Sequence, residues 1–123
     1  MSHYEQKVVV DLGQVDSVEK LLNCLGETFE FGGPNGNVPV TSVNEFRGWG
    51  QNWDALLDCL CCLDSGGIWG TSRRFAFPLQ VRFTNSASLG GNDPVAFRVL
   101  AEILAETQET YAAESMIFDF EVV

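Results

Sequence analysis

Two aspartates four residues apart, Asp54 and Asp58, stand in the stretch WGQNWDALLDCL from Trp49 to Leu60. Paired carboxylates can divide acid and base duties, as in glycoside hydrolysis, but that requires a cleft with separated environments. These two lie on one face of a predicted helix. Like charges at i and i+4 cost an isolated helix about a few tenths of a kcal/mol. Either something outside the helix offsets that cost, or the acidic edge is simply solvated, the usual state of aspartate. Other reactive groups are scarce. His3 is the sole histidine and sits in a terminus expected to fray, which argues against a Ser-His or Cys-His pair. Cys59, Cys61 and Cys62 fall on the helix, and Cys24 alone remains to complete a metal site, whereas zinc knuckles present Cys pairs from loops. The thiols therefore read as small hydrophobes. GGPNGN and SGGIWG match no phosphate-binding pattern. The expectation is a chain with no catalytic residue, no metal and no cofactor.

Elements must hold these residues in place. QKVVVDL, residues 6–12, reads as a strand rich in β-branched side chains. Asp16 and Glu19 follow in capping-box spacing, and Val18, Leu21, Leu22 and Leu25 repeat as one face of a helix. Gly26 either stops that helix or lets it run on toward Phe31. Residues 32–48, dense in Gly, Pro and Asn, read as a long loop or insertion, and structureless loops of that length are usually functional or mobile. Asn52 is the expected N-cap of the next helix. On a wheel Trp53, Leu56, Leu57, Leu60 and Leu63 form its apolar stripe, and Asp54, Asp58 and Cys61 form a second stripe about a quarter turn away. RFAFPLQVRFTN reads as a second strand and SASLGGN as a loop. Asp93-Pro94 opens a helix, with Phe97, Leu100, Ile103 and Leu104 as its buried face. In the closing SMIFDFEVV, Met116, Phe118, Phe120 and Val122 share one strand face; Ile117, Asp119 and Glu121 share the other. Strands separated by helices imply crossover connections, hence an α/β fold with a small three-stranded parallel sheet packed with helices. A length of 123 residues fits a single domain over 1–123.

Seventeen acids against seven bases give a formal charge of −10. Such a field repels nucleic acid and anionic membrane and speeds encounter with a basic partner, although it also suits any soluble protein. Arg73-Arg74 is too small a basic cluster to read as a nucleic-acid footprint. MSHYEQKVVV carries no export signal, and no apolar run approaches the ~18 residues of a membrane span. The expected location is the cytoplasm, where all four cysteines would be thiols.

The stretch from Trp49 to Leu60 resembles the central motif of the barstar family, cytoplasmic inhibitors of secreted ribonucleases. That motif runs aromatic, Gly, Glu, Asn, Leu, Asp, Ala, Leu, Trp, Asp, Cys, Leu. Trp49, Gly50, Asn52, Asp54, Ala55, Leu56, Asp58, Cys59 and Leu60 fit it. The order of elements over residues 6–123 is also that of the family. The resemblance implies a protein that plugs a ribonuclease active site with its motif helix and the preceding loop. Asp58 would occupy the place of a substrate phosphate, Asp54 would flank it, and Asn52 would shape the loop-to-helix junction. It further implies a glutamate from the helix before the last strand; Glu106 is the best match, with Glu102 and Glu109 on the same face. The implied partner-binding set is Trp49, Gly50, Asn52, Trp53, Asp54, Leu57, Asp58, Cys61 and Glu106. The implied partner is a cognate basic ribonuclease toxin domain, with no direct nucleic acid and no membrane, and the free protein is expected to be a monomer. The chain departs from the pattern at Gly48, where the family often has an aromatic. It also has Trp53 and Leu57 where the family has Leu and Trp, and Cys61-Cys62 in place of a Thr-Gly pair. An immunity protein for the nuclease of a contact-dependent system suits these departures as well as an inhibitor of a secreted enzyme. The alternative is a barstar-like interaction module with a non-nuclease partner.

Overall fold

The computed structural model describes residues 3–29, 31, 52–64 and 75–123. Three strands, β1 (Gln6–Asp11), β2 (Leu79–Thr84) and β3 (Phe118–Val122), form one parallel sheet in the order β1-β2-β3. The described helices are α1 (Val18–Phe29), α2 (Trp53–Leu60), α3 (Ala87–Asn92) and α4 (Pro94–Ala113). This is the three-stranded parallel α/β sheet that the spacing of strands and helices implied. The chain divides into two compact units, Met1–Leu21 with Phe75–Val123, and Leu22–Arg74, the division falling within α1.

The first unit contains the sheet. Val8 stands opposite Val81 and Val81 opposite Phe120; Val9, Arg82 and Glu121 form the adjacent row. Because strand side chains alternate, these rows lie on opposite faces. One face is buried: Val10, Leu79, Val81, Phe83 and Phe118 are nearly inaccessible. Helix α4 lies against it, with Tyr111 stacked on Phe118 at 5.7 Å between ring centroids and tilted on Phe77 at 4.7 Å. The other face presents Lys7, Val9, Arg82 and Glu121, all exposed. Parallel sheets are usually covered on both faces. Arg82 and Glu121 approach to 3.4 Å there, a surface pair that contributes little. Burial fades along β3, from Phe118 inside to Glu121 and Val122 outside, so the expected buried face holds at its start and not at its end.

Local chemistry fixes the element ends. Asp93 caps α4 by accepting the Ala96 N–H at 3.0 Å, with Pro94 in the first turn. Ser115, at φ 61°, turns the chain into the left-handed region after α4, where its N–H donates to the Ala112 carbonyl and that of Met116 to Tyr111. Leu100, Ile103 and Leu104 are buried as their spacing implied, and Ala96, Thr107 and Tyr111 extend that face; Phe97 is only half-buried. At the other end of the sheet one Asp11 carboxylate oxygen accepts from the Gly13 N–H at 2.8 Å and from the Asn85 amide at 2.9 Å. A Cβ at Gly13 would stand 3.1 Å from that oxygen, so the turn favours glycine.

Three local expectations are corrected. The N-cap of α1 is Ser17, whose hydroxyl oxygen accepts the Lys20 N–H at 3.3 Å; Asp16 instead pairs with Lys20 at 3.0 Å. SASLGGN contains a helix rather than a loop, closed by the Gly90 N–H donating to Ser86 and the Asn92 amide donating to Ser88. The second strand begins only at Leu79, after a cis Phe77-Pro78 bond, and excludes Phe75, Ala76 and Phe77.

In the second unit Leu22, Leu25, Phe29, Phe31, Leu56, Leu60 and Leu63 are buried, and Phe29 stacks on Phe31 at 5.5 Å. Helix α1 passes through Gly26 and ends at Phe29, its last turn followed by the Phe31 N–H donating to the Gly26 carbonyl at 3.1 Å. Among the described residues no helix is long and apolar enough to cross a membrane.

Candidate functional site: the acidic face of α2

Helix α2 has eight residues, too few for an isolated helix to be stable in water. Two features hold it. Asn52, in extended conformation, accepts the Ala55 N–H on its side-chain oxygen at 2.8 Å. Leu56, Cys59 and Leu60 anchor the inner face, with Leu63 just beyond the helix. The Cys61 N–H donates to Leu57 at 3.1 Å and closes the last turn.

That anchor rotates the wheel relative to the sequence expectation. The buried row is 56, 59, 60 and 63, while Trp53 and Leu57 are half-exposed. Cys59 takes the inner position that the expected stripe gave to Leu57. Trp53, Asp54, Leu57 and Asp58 consequently share the outer half of the helix, with half-buried Cys61 at its C-cap. Both aspartates are exposed, and the apolar side chains beside them are partly open to solvent. Asp54 lies in the first turn, where the helix dipole favours an anion. Trp49, Gly50 and the loop 32–48 lie outside the described residues. Glu106, Glu102 and Glu109 are all exposed on α4 and belong to the other unit.

The described residues of the second unit are acidic. They include Glu27, Asp54, Asp58 and Asp64, and among them there is no lysine, arginine or histidine. The carboxylates also suppress ionisation of the thiols. Burial, then Cys62 and Asp58, push the Cys59 thiol up to about 12. Burial, then Asp64 and Asp58, raise Cys62 as well. All four cysteines are thiols rather than disulfides. Thiols held protonated are poor nucleophiles and poor ligands. Among the described residues no cluster of His, Cys, Asp and Glu could hold a metal ion. What α2 can do is attract a cationic surface with two carboxylates and exclude water from the contact with Trp53 and Leu57.

The sequence reading missed the Asp11–Gly13–Asn85 junction that ties the ends of β1 and β2. The signal was present as aspartate two residues before glycine, the spacing of a side-chain turn.

A family model described as Barstar (barnase inhibitor) matches residues 43–123, a span that contains the whole acidic motif. No curated protein matches the chain.

Proposed function

The chain belongs to the Barstar family, an inhibitor family rather than an enzyme family, and from that membership we propose that it is an immunity protein for a cognate ribonuclease toxin. In this reading α2 and the loop before it occlude the toxin's active site. Asp58 takes the place of a substrate phosphate among the toxin's cations, with Asp54 beside it. Trp49, Gly50, Asn52, Trp53, Leu57 and Cys61 complete the contact from this unit, and Glu106 adds an acid from α4. The observation that carries the reading is the exposure of both aspartates on a helix fixed by its cap and its buried face. A helix that needed its acids for folding would bury or pair them. Here the like-charge cost remains in the described structure and is offset only when a cationic surface arrives.

The toxin itself is identified by chemistry: a basic nuclease cleft, in a cytoplasm where the inhibitor guards its own cell. Leu57 stands where the family has tryptophan, and residues 32–48 add surface beside the motif. With these departures the nuclease domain of a contact-dependent system suits the chain as well as a secreted ribonuclease does. They also keep alive the second reading, an interaction module with a non-nuclease partner.

The test is capture of partners from the native host, followed by titration of Asp58→Ala against the protein captured. A buried cation left without its partner costs about 3–5 kcal/mol, so affinity should fall by at least two orders of magnitude. The denaturant midpoint should hold or rise slightly, since repulsion with Asp54 is relieved. Loss of stability with affinity intact makes Asp58 structural and ends the phosphate-mimic reading. A captured partner with no nuclease activity selects the second reading.

A further inference from the structure

The parallel sheet has two edges, β1 and β3, and charge distinguishes them. Just past β1 the Leu12 N–H donates to the Thr84 carbonyl at 2.8 Å, and at its start the Glu5 and Gln6 N–H groups share the Pro78 carbonyl at 2.9 and 3.4 Å. By strand alternation the even-numbered residues of β1 point their backbone groups at β2, and Lys7, Val9 and Asp11 point theirs away from it. Val9 is 63% exposed, the most open large hydrophobic side chain among the described residues. Lys7 and Asp11 flank it at equal distance, both exposed and opposite in sign. Among the described residues no strand pairs with β1 on that side, and outward-facing backbone groups at a sheet edge are a template for another strand.

We propose that β1 pairs antiparallel with β1 of a second copy of this chain, about a two-fold axis through Val9, joining two three-stranded sheets into one. In that register Val9 meets Val9, and Lys7 of each copy meets Asp11 of the other. The interface is isologous, so one Lys–Asp complementarity is used twice. Neighbouring registers are worse. An axis at Val8 sets Asp11 against Glu5, two like charges, and an axis at Val10 leaves Lys7 against Gly13. Asn85 and the Gly13 N–H hold the Asp11 carboxyl below its ordinary range, which keeps the charge that Lys7 meets. The β3 edge fails the same test. Its only charged residues are Asp119 and Glu121, which any antiparallel self-pairing centred on Phe120 brings face to face. Charge thus guards one edge against a second copy and invites it at the other.

Two short strands bury less than the about 1,200 Å² of lasting interfaces, so the dimer forms and dissociates with concentration. It replaces the expectation of a monomer, and it stands whether or not the inhibitor reading does.

Sedimentation equilibrium over roughly 10 μM to 1 mM, where weak complexes form, tests it. The weight-average mass should rise from 13.5 kDa toward twice that value. Lys7→Glu should hold the mass at the monomer, whereas Lys20→Glu, an equal charge change elsewhere, should leave the dimer in place. Val9→Pro removes only an outward N–H, so it should block pairing while sparing the β1–β2 ladder. Opposed Cα atoms in a hydrogen-bonded antiparallel pair lie about 5.5 Å apart, within disulfide range. Val9→Cys should therefore cross-link under mild oxidation, and Val95→Cys, 59% exposed on α4, should not. A monomer mass throughout the range overturns the proposal. So does a dimer that Lys7→Glu leaves intact, or cross-linking at position 95 and not at position 9. Should Val9→Pro unfold, Lys7→Glu, at an exposed position, carries the test alone.

Discussion

Replacing Asn52 by Ala isolates one bond. The residue is exposed, and its φ of −138° and ψ of 174° are open to any L residue, so alanine brings neither strain nor a cavity. What is lost is the 2.8 Å bond from the Ala55 N–H to the side-chain oxygen. Loss of an Asn N-cap costs about 1 kcal/mol, roughly a fivefold change in the folding equilibrium of whatever unit α2 belongs to. The effect should be largest locally, because eight residues leave little helix to share the loss. Hydrogen exchange at the Ala55 amide is the direct assay, with a urea titration beside it. Exchange should accelerate about fivefold in Asn52→Ala, and the midpoint should fall by the equivalent of about 1 kcal/mol. Asn52→Asp supplies the control. It keeps the acceptor and adds an anion at the positive end of the helix, favoured by about 0.3–1 kcal/mol. Asp54 is two residues away and does not face it directly. This variant should match or exceed wild type. If Asn52→Ala left exchange and midpoint unchanged, or if Asn52→Asp fell equally far, the cap would not be what holds the first turn of α2. The presentation of Asp54 and Asp58 would then need another explanation.

Two further outcomes follow from the geometry. Because the folded chain holds Cys59 near 12 while the unfolded thiol titrates near 9, the unfolded state loses its proton first. Stability should then fall as pH rises above about 9, by at most about 1.4 kcal/mol per unit, and Cys59→Ala should show a shallower slope between about pH 8 and pH 10; equal slopes would remove burial of this thiol as the cause. The Tyr4 hydroxyl donates to an Asp119 carboxylate oxygen at 2.6 Å, and the Gln108 amide holds the other oxygen at 3.1 Å. Tyr4→Phe should cost about 1.5–3 kcal/mol by urea titration, and a change under about 0.5 kcal/mol would mean that water replaces the phenol without loss.

The parts of the fold legible in sequence are those decided within a few residues. Asn52 and Asp93 cap their helices because a side-chain acceptor at fixed offset from an N–H is a local event. Phe118, Val81 and Val10 were readable as strand positions because β-branched and aromatic residues suit a pleated, half-buried surface. Periodicity was less informative about orientation. Cys59 is buried as a small hydrophobic thiol on this helix should be, but the wheel also put Leu57 in the apolar stripe, where it is only half-buried, since a wheel does not say which part of a broad stripe meets the core. Propensity misled at Gly90 and Gly91, where two glycines hid α3. The cap at Ser17 was hidden by Asp16, a second good acceptor one residue earlier. Strand order, and with it the exposed face bearing Val9 and Arg82, depends on pairings such as Val9–Arg82 and Leu79–Phe118, which are distant in sequence and have no local signature. For the candidate site, the motif picked out candidate side chains, and burial then separated Asp54 and Asp58, which are exposed, from Leu56 and Leu60, which hold the helix.

Helix α4 carries Glu102, Glu106 and Glu109, with Glu114 as its C-cap, toward a C-terminal end that has no basic residue in its last turn. The helix dipole already makes that end negative, so the later acids oppose both the dipole and one another. Mobile ions act on this in two ways. At physiological ionic strength the Debye length is about 8 Å, slightly more than the about 5–6 Å between neighbours on a helix face, so salt screens the glutamates from one another only in part. The same screening weakens the pull of the whole chain on a cationic partner. Added salt therefore tightens the fold and loosens its grip on such a partner, and the two responses carry opposite signs. A row of acids that costs the isolated protein stability in dilute buffer is, in this sense, repulsion stored until a positive surface arrives to discharge it.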